Sequence, residues 1–146
     1  ITRLEDNLVI QEYPHLLHEG SSVLNGWIFG LLGIYDLILY GLADDEIKYI
    51  FKKSIKSLEK ILPKYNLGYW STYSLPNSYK NICSYHYHSL HVVLLESLGK
   101  ISNNDQIKKY SMIFESQLSN IFYRILAFFM KIFANLIKYK RFYKIR

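Results

Sequence analysis

From Ser21 to Tyr40 the chain reads SSVLNGWIFGLLGIYDLILY, apolar on nearly every side, which predicts an inner helix with the serine pair as its N-cap. A length near 20 residues also fits a transmembrane span, which Asn25, Asp36 and three glycines disfavour. Asp44-Asp45-Glu46 then opens a second helix with acids at the positive end of its dipole. Ile47, Ile50, Phe51, Ile55, Leu58, Ile61 and Leu62 recur at three- and four-residue steps, the mark of an outer amphipathic helix, and Pro63 ends it. Residues 64–85 lose that period and mix Gly, Asn, Ser and Pro with aromatics, which predicts a loop with a short hairpin. Helical spacing returns from His86 to Lys100, with Gly99 as a stop signal. Asn104-Asp105 caps a further helix through Ile107, Tyr110, Ile113, Phe114 and Leu118, expected to run on into IFYRILAFFMKIFANLIKYK. Inner apolar helices paired with outer amphipathic ones suit a toroid or a bundle, and the expected fold is all-α, helical hairpins forming an incomplete α/α toroid.

At 146 residues this is a single helical domain, 1–146, with residues 121–146 as a basic amphipathic C-terminal helix. The lone Cys83 excludes an intrachain disulfide and a cysteine metal site, and the histidine spacings lack HExxH, so neither metal nor cofactor is expected. Ile1 in place of methionine points to a processed chain or to part of a longer protein. Residues 121–146 hold seven Lys/Arg and no acid, whereas residues 1–120 hold 11 basic and 12 acidic groups. The positive charge is therefore a property of the tail. No arginine lies between Arg3 and Arg124, which speaks against nucleic acid as a partner.

The five histidines fall in two clusters, His15 and His18 in EYPHLLHEG, and His86, His88 and His91 in YHYHSLH. On a helix, Tyr87 and His91 stand at i and i+4, and His88 and His91 at i and i+3, so they project from one side. Fourteen tyrosines are more than packing requires in a chain this short. Most sit at helical positions and serve the core, while Tyr13, Tyr69, Tyr73, Tyr85 and Tyr87 lie near the histidines or in the aperiodic segment. Phenols with a histidine and a glutamate, and no nucleophilic triad, suit proton transfer at a carbon beside a carboxylate. Aromatic rings such as Tyr69 and Trp70 also stack on sugar faces.

Four stretches, EYP, LNGWIFGLLGIYDL, LPKYNLGYWSTYSL and YHSLHVVLLESL, in this order, make residues Glu12 to Lys100 resemble the C-terminal helical domain of D-glucuronyl C5-epimerases. The resemblance implies inversion of C5 of D-glucuronic acid to L-iduronic acid within heparosan or heparan sulfate, an acidic polysaccharide substrate. It also implies a homodimer of the full-length protein, with β-rich portions N-terminal to this domain. Glu12 and Tyr13 fall on the family's Glu-Tyr-Pro motif, Tyr73 on its Tyr-x-Leu loop, and Tyr87 with His88 and His91 on its Tyr-His-x-x-His motif. Tyr13, Tyr73, Tyr87 and Glu12 are thus the expected catalytic residues. His88, His91, Tyr69, Trp70, Asn25 and Lys80 are the expected substrate contacts. Two positions depart from the family pattern: His86 stands where an acid often precedes the Tyr-His pair, and Ser74-Leu75-Pro76 where an arginine follows the loop. Neutralisation of the substrate carboxylate then falls to His88, His91, Lys80 or a part of the protein outside this chain.

Two other classes share these features. One is a non-catalytic glycan-binding or assembly domain of the same fold. The other is a membrane-surface protein, in which the stripe of Arg124, Lys131 and Lys138 beside the apolar face of the last helix meets anionic lipid. The ordinary alternative for that helix, and the favoured one, is an apolar side packed on the core with a solvated basic end.

Overall fold

The computed structural model describes residues 2–4, 7–10, 22–75 and 81–143. A hairpin of β1 (Thr2–Leu4) and β2 (Asn7–Val9) precedes β3 (Ser22–Val23) and five α-helices. These are α1 (Leu24–Leu39), α2 (Asp45–Ile61), α3 (Tyr85–Ile101), α4 (Asp105–Ser119) and α5 (Ile121–Tyr143). A 3-10 turn, Leu62–Tyr65, follows α2, and β4 (Ser74–Leu75) pairs antiparallel with β3. The described part is mostly helical, in agreement with an all-α class.

Of the serines expected to cap α1, Ser21 lies outside the described residues and Ser22 does not cap it. Ser22 lies in β3, the N-cap is Val23 without a side-chain bond, and the Leu24 N–H donates to the Tyr73 carbonyl at 3.2 Å. The opening of α1 is thus satisfied by the loop after the 3-10 turn. Nor is α1 an inner helix along its whole length. Leu24, Asn25, Trp27, Ile28 and Leu31 are buried, whereas Leu37, Leu39 and Tyr40 at its far end face outward. Asp44 and Asn104 cap α2 and α4 as their spacing predicts, accepting from Ile47 N–H at 2.8 Å and Ile107 N–H at 3.0 Å.

The main core joins the buried half of α1 to Ile55, Leu58 and Ile61 of α2, Leu95 and Leu98 of α3, and Ile107 and Phe114 of α4. One buried polar tie fixes the α1–α2 pair: the Trp27 Nε1–H donates to Ser54 Oγ at 2.8 Å. Another fixes α3 to α4, where Ser111 Oγ–H donates to the Val92 carbonyl at 2.9 Å. Gly99 lies two residues before the end of α3, near the expected stop, and also serves a close contact. A Cβ there would stand 2.8 Å from Lys108 Cγ and 3.0 Å from the Lys108 backbone nitrogen, so the missing side chain lets α4 approach closely. The N-terminal hairpin, which short strands without clear alternation concealed, docks the same way: Gly30 of α1 leaves room for Ile10.

Helix α4 does not continue into α5. Asn120 breaks the run, its Oδ1 accepting from the N–H of Phe122 at 2.9 Å, and the two helices are bent by 86°. No single helix among the described residues is long and apolar enough to cross a membrane; α4 and α5 reach that length and composition only as a bent pair. The expectation that α5 packs its large apolar side on the core is also corrected. Among its described side chains α5 buries Ala127 and Ala134, whereas Phe122, Phe129 and Phe133 are exposed. With apolar residues around more than half its circumference, α5 cannot face them all inward, and the small ones allow the closest approach to the body.

Two glycine substitutions separate close packing from helix propensity. Gly33→Ala in α1, with nothing within 4 Å of the new Cβ, is expected to stabilise the protein by about 0.5–1 kcal/mol. Gly99→Ala gains the same propensity but must displace the α4 backbone, and is expected to destabilise by about 1–2 kcal/mol. Urea unfolding of the two variants beside the parent checks the opposite signs.

Candidate active site

The aperiodic segment after the 3-10 turn is ordered by its own backbone. Gly68, at a φ of +90°, makes the reversal that a side-chain-bearing residue resists, and the Leu67 N–H donates to the Trp70 carbonyl at 2.8 Å. The chain then runs antiparallel to two neighbours. The Thr72 N–H donates to the Tyr65 carbonyl at 2.8 Å, and the Tyr73 N–H to that of Asn81 at 2.7 Å. Tyr65, wholly buried, sends its hydroxyl to Ser22 Oγ at 2.8 Å, and burial pushes its ionisation far above the ordinary phenol range. Tyr73 is therefore held between the start of α1, through Leu24, and the strand leading to α3.

Ser84 caps α3, its Oγ accepting from the Tyr87 N–H at 3.3 Å. This sets Tyr87 in the first turn, where its ring meets that of Tyr73 edge-on, with centroids 4.9 Å apart. The loop and helix tyrosines that the resemblance singles out thus come together. His86, exposed, lies edge-on to Tyr87 at 5.6 Å. Tyr69 is half-buried on the same loop, and its burial raises its pKa above the ordinary phenol value. Asn25, in the first turn of α1 next to the residue that bonds Tyr73, is buried with its Oδ1 lacking a hydrogen-bond partner. Glu12, Tyr13, His15, His18 and Lys80 lie outside the described residues.

His88 and His91 take a different position from the one expected. Both are 0 % exposed and converge on Ser71, whose Oγ lies 2.8 Å from His88 Nδ1 and 3.0 Å from His91 Nδ1. The network assigns the tautomer of His88. The Phe114 carbonyl, 3.0 Å from His88 Nε2, can only accept, so Nε2 carries the proton and Nδ1 accepts from the Ser71 N–H at 3.2 Å. Desolvation drives the His88 pKa down from 6.5 to about 4. His91 falls to about 3 through desolvation and then the neighbouring His88. Trp70, 1 % exposed, stacks on His88 at 3.7 Å and donates its indole N–H to the Cys83 carbonyl at 3.2 Å. Direct substrate contact by His88, His91 and Trp70 is thus corrected by their burial: they clamp the loop bearing Tyr73 onto α3. As neutral rings they also cannot balance a carboxylate. Cys83, at 3.8 Å from His91 Nδ1, has its thiol pushed up to about 12 by burial and is no nucleophile.

A cation lies beside the first turn of α3, from a place the linear spacing gave no hint of. The guanidinium of Arg124, in the first turn of α5, lies 5.2 Å over the ring of Tyr85, two residues before Tyr87. Only the 86° bend between α4 and α5 brings this member of the basic tail beside α3.

The buried histidine pair fixes a pH dependence. Unfolded, each ring titrates near 6.5; folded, they stay neutral until about pH 4 and about pH 3. Between these values the unfolded chain binds more protons, so stability is full above pH 6.5 and falls on acidification towards pH 4, each unit of pKa displacement being worth about 1.4 kcal/mol. Denaturant titrations across this range are expected to show that fall, and a His91→Phe variant to show a shallower one.

Comparison with known proteins agrees with the resemblance and widens it. The family model described as the D-glucuronyl C5-epimerase C-terminus matches residues 1–116, from the N-terminal hairpin into α4, leaving α5 outside. A Caenorhabditis elegans protein named D-glucuronyl C5-epimerase is 30% identical over 118 residues, an overlap covering 70% of this chain and 19% of that relative. The chain thus corresponds to a small part of the relative's length. On these grounds it belongs to the D-glucuronyl C5-epimerase C-terminal family.

Proposed function

We propose that Tyr73 and Tyr87 form one side of a cleft in which C5 of a D-glucuronic acid residue, within a heparosan- or heparan sulfate-like chain, loses and regains its proton to give L-iduronic acid. The observation that carries this reading is the edge-on meeting of the two phenols at 4.9 Å, one on the clamped loop and one in the first turn of α3. Inversion needs a group to remove a proton from one face of the ring and another to deliver one to the opposite face. Tyr13 and Glu12 supply the second side in this proposal. A phenol ordinarily ionises near pH 10, so the one acting as base needs positive potential nearby. The N-terminus of α3, in whose first turn Tyr87 stands, offers it.

Removing the C5 proton adds negative charge to a group that is already a carboxylate, and that developing dianion must be balanced. Arg124, which lies over Tyr85 in the first turn of α3, is one candidate for the task, with Lys80 as a second. Tyr69, half-buried on the same loop as Tyr73, stacks on a sugar face in this proposal, whereas Asn25 is buried and supports the start of α1. In the same proposal the α1–α2 and α3–α4 hairpins are units of an incomplete α/α toroid, and the remainder of the full-length protein completes the cleft.

The test is exchange of the C5 proton of heparosan in deuterated water, followed by NMR with the full-length parent protein. Deuterium incorporation is expected, with Tyr73→Phe and Tyr87→Phe each lowering its rate by about 10²–10⁴-fold while the melting temperature holds. Arg124→Gln is expected to slow exchange and Arg124→Lys to restore part of it. If both Phe variants exchange at the parental rate, the assignment of the site is wrong. Polysaccharide retention without any exchange would instead identify a non-catalytic glycan-binding domain.

A further inference from the structure

Helix α5 turns its largest side chains away from the protein. At about 100° per residue, Phe122, Ile125, Phe129, Ile132, Phe133 and Leu136 share one outward arc, and each is between 42% and 78% exposed. The opposite side buries Ala127 and Ala134 against the body. A continuous apolar strip of this kind marks a surface that something covers.

Charge selects among the covers. Residues 121–146 carry seven Lys/Arg and no acid. A second copy laying its own α5 in parallel on this strip would bring two such cationic segments within the ~8 Å over which charges at physiological salt still repel, and an antiparallel copy would cover the apolar arc but leave both basic ends without a counter-charge. The family match ends at residue 116, before α5 begins, so family membership assigns no cover to the strip. An acidic polysaccharide would satisfy the cations but leave the phenylalanines in water. A lipid surface bearing negative headgroups suits both properties, since an apolar arc enters the acyl boundary while cations meet the headgroups. Within α5, Arg124 lies over Tyr85 and Lys131 donates to the Ile82 carbonyl at 2.6 Å, both directed to the body. The other five cations, Lys138, Lys140, Arg141, Lys144 and Arg146, are crowded into the last nine residues.

We propose that α5 lies in the interface of an anionic membrane, its arc of Phe, Ile and Leu side chains in the acyl boundary and the basic residues towards its C-terminal end among the headgroups. Flotation of the protein with vesicles of phosphatidylserine and phosphatidylcholine, beside vesicles of phosphatidylcholine alone, tests it. Binding is expected to favour the anionic vesicles, to weaken as salt is raised, and to fall on the order of tenfold or more in the Phe129→Ser, Phe133→Ser double variant. Both side chains are exposed, so the variant should keep the parental circular dichroism and melting curve; a variant that unfolds is replaced by Phe122→Ser, Ile125→Ser. No binding to either vesicle overturns the proposal. So does anionic binding that the folded double variant retains in full, which would mean charge alone. A concentration-dependent dimer dissolved by the same substitutions, or heparosan binding that depends on them, without vesicle uptake, likewise overturns it.

Discussion

The placement of the site depends on one buried hydroxyl. Ser71 Oγ stands between the Nδ1 atoms of His88 and His91, and its backbone N–H is also bonded to His88. A polar network without solvent is stable only when its members satisfy one another, and then it specifies a single arrangement. Here it joins a loop to the first turns of α3, while Phe114 in α4 accepts the remaining proton of His88. Loop, α3 and α4 are therefore fixed by the same few atoms. The one ring atom left over, His91 Nε2, has no partner among the described residues. A neutral ring with one unpaired nitrogen is cheaper to keep in an apolar setting than a charged ring, which agrees with the strong suppression of protonation there.

The clamp explains how tyrosines on a loop and on a helix come to share a position. Backbone bonds from Tyr65, Asn81 and Leu24 hold the loop from three directions, and Trp70 lies flat on His88 beneath it. Loops carry reactive groups well only when something rigid positions them. In this chain the rigid part is the Tyr-His-x-x-His stretch itself: its tyrosine faces outward and its histidines inward. One short helical motif thus supplies both a surface group and the anchor beneath it.

How much of this was legible in the sequence follows from the range of the interactions concerned. The caps at Asp44 and Asn104 and the period of α2 are local, and they appear where spacing puts them. The meeting of Tyr73 and Tyr87 was legible as two candidates, not as a contact, because it depends on the loop being folded back across 14 residues. The burial of His88 and His91 could not be read from polarity, since whether a histidine faces water depends on Ser71 and Phe114, neither of them its neighbour in sequence. Gly99 has the residue type of a stop signal and the function of a close contact; a single chain does not distinguish these. Arg124 belongs by composition to the basic tail and by position to α3, and only the turn at Asn120 relates the two.

The two tryptophans fall in separate clusters, Trp27 in the main core bonded to Ser54 and Trp70 in the small cluster with Ile82, Cys83 and Ala127. Their surroundings differ in kind, since Trp70 alone lies against an imidazole that can be protonated. Intrinsic emission from this chain therefore comes from two reporters, one sensing the helical body and one sensing the clamp. Loosening of the loop ahead of global unfolding would change the light from Trp70 while that from Trp27 stayed constant.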